Sequence, residues 1–296
     1  MAGTLSRNIA RSFFAKSQPE GAGATVRRCI GGSRTLDPFL MCDIFEVVPP
    51  AGFPDHPHRG FETVSYLLEG AIAHEDFVGN VGLIGPGDVQ WMTAGRGVVH
   101  AEMPASKTPC RGIQLWINLA REFKMIEPSY QDLKDSEIPR AKPEPGIEVK
   151  IIAGESFGVK STVFTRTPTM FMDFKLEKGK RVEQKIPKDY SGFIYVLSGN
   201  GYFGGNQFKG EEHHALFLEN DNGDYLPIEA KDTDLRFMLF AGKPLKEPVV
   251  NYGPFVMNSE EEIFQTMSDY EKATNGFEKA KKWRSSISNG VTKLLQ

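Results

Sequence analysis

Cysteine, long apolar runs and net charge are all scarce in this chain, and each scarcity removes a class of explanation. Only three cysteines, Cys29, Cys42 and Cys110, stand in 296 residues. An odd number at wide spacing argues against a disulfide framework or a zinc ribbon and fits a reducing compartment. No stretch approaches the roughly 20 apolar residues that span a bilayer, so no membrane-embedded role is expected. The formal charge of -3 gives no drive toward phosphate backbones, and direct nucleic-acid binding is not expected either. With 40% hydrophobic and 25% charged residues, what remains is a globular protein with room for two cores.

Histidine is also sparse, six in all, yet three of the six fall in two short motifs. His56-Pro57-His58 and His100-Ala101-Glu102 each hold two polar residues one position apart. On a β-strand that spacing turns both side chains to one face. Three imidazoles and one carboxylate suit a borderline divalent transition ion such as iron, manganese, copper, nickel or zinc. Four ligands on an ion that prefers six leave two positions for small molecules, which points to chemistry or sensing. Continuing the alternation through Gly60 predicts that Glu62 faces the same interior, as a fifth ligand or as a group that orients a histidine. His74 reads as an ordinary barrel residue. Phe53, Phe61, Trp91, Met92 and Met103 supply apolar material near the motifs, either as barrel filling or as the walls of a site for a flat aromatic molecule. Arg59 and Arg96 read as surface residues that report the metal's state to a partner.

From Leu36 to Leu119, short β-rich runs alternate with Gly79-Asn80, Pro86-Gly87-Asp88 and Gly95-Arg96-Gly97, the pattern of a jelly roll. A polar bridge follows, with a predicted short helix over Met125–Leu133 and with Pro139, Pro143 and Pro145 forbidding a longer one. A second β-rich block from Ile147 to Ala241 echoes the first. The run Val64–Gly70 aligns with Phe193–Gly199, and Pro86-Gly87-Asp88 with Asn222-Gly223-Asp224. In that register His56 and His58 fall on Lys185 and Pro187, so the second barrel lacks the site. The predicted division is a tail over 1–19, an N-terminal domain over 20–134 with the metal site, a linker over 135–146, and a C-terminal domain over 147–296. The last of these ends in helices that begin at the capping box of Ser259-Glu260-Glu261-Glu262. The tail carries Arg7, Arg11 and Lys16 and no acid before Glu20, which also reads as an organelle transit peptide; the other reading is a plain disordered or strand-forming tail in a cytosolic or nuclear protein.

The run from Gly52 to Gly70 closely resembles the signature of the pirin family of bicupin proteins. So do Pro86 to Gly97 and Val98 to Pro104. The likeness continues through Leu36–Phe39, Gln114-Leu115-Trp116, Arg166–Thr169 and Gly253–Asn258, and covers roughly residues 20 to 288. The resemblance implies an all-β fold of two tandem cupin jelly rolls with a short linker helix and C-terminal helices. It also implies ferrous iron in the N-terminal barrel, held by the residues matching His56, His58, His100 and Glu102, with other divalent transition metals able to substitute in vitro. Because this family takes its carboxylate from the second motif, Glu62 becomes a supporting group. Two functions follow as expectations. One is a dioxygenase that opens quercetin-like flavonols with molecular oxygen and releases carbon monoxide, with Glu102 as a base. The other is a redox-sensing transcriptional co-regulator in nucleus and cytoplasm that binds transcription factors according to the state of the iron.

Overall fold

The computed structural model describes residues 5–21, 23–32, 34–220 and 223–291; Met1–Thr4 of the tail and Asn222 of the echoed turn lie outside them. The chain folds into two compact β units. One comprises Ser17–Thr35, Phe39–Asp135 and Leu245–Gln296, the other Met1–Lys16, Leu36–Pro38 and Ser136–Pro244.

The first unit is a jelly roll of two antiparallel sheets. The seven-stranded sheet runs in the order Ser129–Leu133, Val89–Thr93, Phe61–Glu69, Cys110–Asn118, Phe39–Val47, Ala24–Ile30, Ser17–Glu20. The four-stranded sheet runs Phe53–His58, Val98–Pro104, Ile72–Asp76, Val81–Ile84. Strand alternation sorts each sequence between two faces. Ser65 stands opposite Gln114 and Gln90 on one face of the larger sheet, and Val64 opposite Leu115 and Trp91 on the other. Val26, Phe45, Leu67 and Ile72 pack into one buried cluster. Each such side chain contributes about 1.5–3 kcal/mol of burial.

The smaller sheet turns one face toward this interior. Its other face is covered by the end of the chain: Phe77 and Val99 pack with Phe255, Ile263 and Phe277, and Ala73, Ala101 and Met103 pack with Ile287 and Val291. Residues 245–296, expected at the end of the second domain, therefore belong with the first barrel. One α-helix, Glu260–Lys272, lies there among the described residues. Ser259 caps it by accepting the Glu262 N–H, and Glu260, Glu261 and Glu262 fill the first turn, where the helix dipole favours acids. Ala273, left-handed at φ 56, closes it, and turns follow where a further helix was predicted. The expected helix over Met125–Leu133 is absent as well. Pro128 lacks the donor a helix needs and biases Glu127 toward extended backbone, and Ser129–Leu133 instead pairs with Val89–Thr93.

In the second unit the main sheet path runs Ile9–Phe14, His214–Leu218, Ser191–Phe203, Leu235–Gly242, Thr169–Leu176, Ile147–Ala153, Arg140–Ala141. Phe174, Phe203, Phe237, Leu216 and Ile228 fill its core. Part of the N-terminal tail is structural here. Ile9–Phe14 pairs with His214–Leu218, and the buried Arg7 donates to the carbonyls of Gly223, Tyr190 and Pro187 at 3.1, 2.7 and 3.0 Å.

Candidate metal centre

The two histidine motifs lie on neighbouring antiparallel strands. His100 is directly opposite His56, and Val98 opposite His58, so the three imidazoles share the interior face. A register shift between His100 and Glu102, with Pro54 and Asp55 set against Ala101, pairs Glu102 with Phe53. One ring nitrogen from each of His56, His58 and His100 lies within 4.8 Å of the others. His56 Nε2 and His100 Nε2 are 2.9 Å apart, and Glu102 Oε2 lies 3.9 Å from His100 Nε2.

The surroundings prepare these groups to give lone pairs. His56 Nδ1 is 2.8 Å from the Pro54 carbonyl. As a donor there it leaves Nε2 unprotonated and turned to the cluster. Burial first, and then the neighbouring His56, hold His58 well below the ordinary imidazole range; burial, His56 and His58 do the same to His100. Both rings therefore stay neutral. Neither nitrogen of His58 finds a protein partner, nor does His100 Nδ1, although all three atoms are buried. Buried polar atoms without partners are rare, and the two nitrogens of one ring point apart, so one His58 nitrogen can face the cluster, where His100 presents Nε2. This donor set fits a divalent transition ion.

Glu102 is held from behind. Ser65 Oγ lies 2.9 Å from Glu102 Oε1 and 2.6 Å from the Gln114 carboxamide. One hydroxyl proton cannot serve two acceptors. The arrangement that satisfies all three groups has the Gln114 amide donating to Ser65 and Ser65 donating to Glu102.

The cluster opens into a cavity of about 300 Å³ lined by Met41, Phe45, Phe53, Trp116, Arg28 and Asp43. At its polar side Arg28 forks onto Asp43 with bonds of 2.9 and 2.6 Å, which raises the guanidinium pKa and keeps it charged. Of the residues predicted to line a pocket, Phe53 does so. Phe61 stands behind the wall, its ring 5.2 Å from His58 and 4.5 Å from Trp116. Met92 packs with Ala94, Val98 and Tyr130, Trp91 lies on the opposite face of its sheet, and Met103 lies on the outer face of the ligand-bearing sheet. His74 is buried beside Tyr130 and Asp132 and stands opposite Glu102 in the strand register.

Two expectations need correction. Gly60 adopts φ 89 and breaks the extended run after His58, so alternation restarts at Phe61. Thr63 and Ser65 then share a face with Trp116 and Gln114, and Glu62 lies on the opposite face, accepting from Thr93 Oγ1 at 2.8 Å. Glu62 thus does not share the face of the cluster. Arg59 is likewise no surface residue. It is 1% exposed and donates to Asp269, Thr266 and the carbonyls of Arg96 and Asn275, while its guanidinium lies 4.6 Å from the Phe277 ring. Arg96 is partly exposed and bridges Glu127 and Glu278. Sequence reasoning missed Ser65, Gln114, Arg28, Asp43 and Trp116 as site residues. They come from strands of the facing sheet, and only its pairing register reveals them.

The sequence model of the Pirin family matches residues 23–117, and that of the Pirin C-terminal cupin domain matches residues 171–276. The chain belongs to the pirin family. Pirin of Homo sapiens is 53% identical over 290 residues, 96% of this chain and 99% of its own length. Pirin-like protein 2 of Arabidopsis thaliana is 52% identical over 288 residues, 95% of this chain and 89% of its own. Among solved structures, quercetin 2,3-dioxygenase from Acinetobacter baumannii matches with a TM-score of 0.83 at 32% identity, over 90% of this chain and 97% of that one. Bacterial pirin YhhW from Escherichia coli, solved in complex with nickel(II), shares the fold with a TM-score of 0.61 at 21% identity, over 79% of this chain and 99% of that one. In this pirin the histidine cluster and its cavity draw all their residues from the unit that contains the first of the two matched segments.

Proposed function

We propose that this pirin is an iron-dependent dioxygenase that opens quercetin-like flavonols with molecular oxygen and releases carbon monoxide. The observation that carries the reading is the cluster of His56, His58 and His100, with Glu102 3.9 Å from His100, beside an aromatic-walled cavity that His56, His58 and Glu102 line. The likeness to a quercetin 2,3-dioxygenase supports the reaction class. A ferrous ion held by these four residues supplies Lewis acidity and electron exchange with dioxygen. The protein's own residues do the rest. Glu102 takes the proton of the flavonol 3-hydroxyl, and Ser65, itself held by Gln114, keeps the carboxylate aimed for that task. Phe45, Phe53 and Trp116 offer flat walls to a planar ring system and exclude water. Its volume, about 300 Å³, lies at the small end of small-molecule sites and favours a compact substrate.

The alternative, a co-regulator that binds partners according to the state of the iron, keeps the Gly95–Val98 loop and the partly exposed Arg96 as candidates, while Arg59 is buried and leaves its surface. The deciding experiment is oxygen uptake with quercetin on protein reconstituted anaerobically with ferrous iron, with His56→Ala as control. Uptake that needs the metal and disappears in the variant is expected. Stoichiometric iron without uptake above the control overturns the flavonol reading.

A further inference from the structure

The outer face of the ligand-bearing sheet is fastened by one short segment, Ser285 to Ser288. Ser285 N–H lies 3.3 Å from the Asp55 carboxylate, the Ser288 hydroxyl donates to the same carboxylate, and the Asp55 N–H points back to Ser288 Oγ at 3.3 Å. The same segment grips Glu75: Ser285 Oγ and Ser286 N–H bond Oε2 at 2.8 Å, and Ser286 Oγ bonds Oε1 at 2.5 Å. Burial raises the Glu75 pKa, but the Ser286 and Ser285 bonds outweigh it and hold the carboxyl below its usual range. Asp55 adjoins His56 and the Pro54 carbonyl that fixes the His56 tautomer. Glu75 is paired with Ala101, between His100 and Glu102. Ile287 and Val291 pack on Ala101 and Met103 beneath. One segment thus braces both motifs from behind.

Ser286 is exposed and follows Lys281, Lys282 and Arg284 in a stretch without helix or strand. We propose that Ser286 is a phosphorylation site for a basophilic serine kinase, and that its phosphate releases this segment and loosens the metal centre. In the transfer, Ser286 Oγ bonds the γ-phosphorus of ATP as the bond to the β,γ-bridging oxygen breaks. The hydroxyl proton passes to the kinase's base, and ADP leaves. The product carries about -1.5 to -2 charges at pH 7, placed against Glu75 and near Asp55, where like charges repel. Arg284, the nearest cation in sequence, already donates to the carbonyls of Lys281 and Trp283.

The inference rests on the metal-site reading above, and its test separates the two. The full chain is made with phosphoserine encoded at position 286 and compared with the unmodified chain and with Ser286→Ala. Amide exchange is followed without metal, ferrous iron is titrated anaerobically, and the folded unmodified chain is treated with ATP and a kinase that prefers upstream basic residues. Expected are incorporation at Ser286, faster exchange over Phe53–His58 and Ile72–Asp76 in the phosphoserine chain, and ferrous affinity weaker by about tenfold, as for loss of a group that orients a ligand. Ser286→Ala loses one bond to Glu75 but keeps those from Ser285 Oγ and the Ser286 N–H and adds no charge, so its affinity falls by less than that of the phosphoserine chain, to within about twofold of the unmodified one. No incorporation into the folded chain, or a phosphoserine chain whose exchange and affinity match the unmodified one, overturns the proposal. An unmodified chain that binds no ferrous iron defeats the metal reading instead, and the exchange comparison still decides this one.

Discussion

At the scale of single residues, the ligand-type set is legible because it obeys the two-residue period of a strand within each motif. His56 with His58 and His100 with Glu102 do share a face, as their spacing predicts. The same rule misplaced Glu62, since a rule of alternation holds only while the backbone stays extended, and Gly60 turns at φ 89. Ser65 and Gln114 had no such signal; a lone serine and a lone glutamine become site residues only through cross-strand register. Their role yields a measurable expectation. Ser65→Ala and Gln114→Leu should each weaken ferrous binding about tenfold with little loss of stability, because the carboxylate loses the partner that aims it. Competition titration against a chromophoric chelator checks this, and unchanged affinity in both variants removes the positioning role. A second expectation concerns pH. Burial keeps His58 and His100 neutral in the folded metal-free chain, whereas in the unfolded chain they bind protons near pH 6.5. Below that pH the unfolded state holds more protons, so stability is fully present above about 6.5 and falls as the pH drops. Thermal midpoints of metal-free protein between pH 7.5 and 5.5 should decline; midpoints that stay flat or rise contradict neutral imidazoles.

At the scale of elements, the strands were readable from turn residues and alternation, and the capped helix from Ser259 and its three glutamates. Two misreadings share one physical cause, which is that a partner distant in sequence overrides local preference. Ser129–Leu133 is a strand because the Val89–Thr93 edge was there to pair with. Arg59 is buried because the helix 210 residues later brings Asp269 to within 2.8 Å of it. That ion pair, together with the Arg96 and Asn275 carbonyls, pins the helix to the end of the His58 strand. Arg59→Met should therefore cost about 3–5 kcal/mol, most of it from stranding the Asp269 carboxylate. The double variant Arg59→Met with Asp269→Leu should recover a large part of that loss. Urea unfolding of the single and double variants measures both, and a single-variant cost near zero means that the pair does not hold the helix.

At the scale of the whole molecule, the duplication was legible from one aligned run of strand and turn. The ends of the chain were legible only in part. A basic, serine-bearing N-terminus reads by composition as a leader, a disordered tail or a strand-forming one, and only packing selects the last: Arg7 is buried and Ile9–Phe14 completes a sheet of the second unit. Removal of a leader that extended through Lys16 would take both with it. Conversely, residues 245–296 complete the unit that holds the histidine cluster. Which end serves which barrel depends on packing, and hydropathy carries no trace of it. The division makes a prediction about where damage should be felt. Arg7→Ala removes a guanidinium bonded to the carbonyls of Gly223, Tyr190, Pro187 and Lys188, and should destabilise the protein by about 3 kcal/mol, since hydrogen bonds to charged groups are worth roughly 1.5–3 kcal/mol each and the stranded carbonyls retain some access to water. The histidine cluster and its cavity take no residue from that unit, so ferrous affinity should stay within about twofold, as for a substitution remote from the site. Urea unfolding followed by circular dichroism reads the first effect. Ferrous titration followed by tryptophan emission reads the second, because all three tryptophans, Trp91, Trp116 and Trp283, belong to the unit with the site. A stability loss accompanied by an equal loss of affinity would mean that ferrous binding depends on the stability of the second barrel.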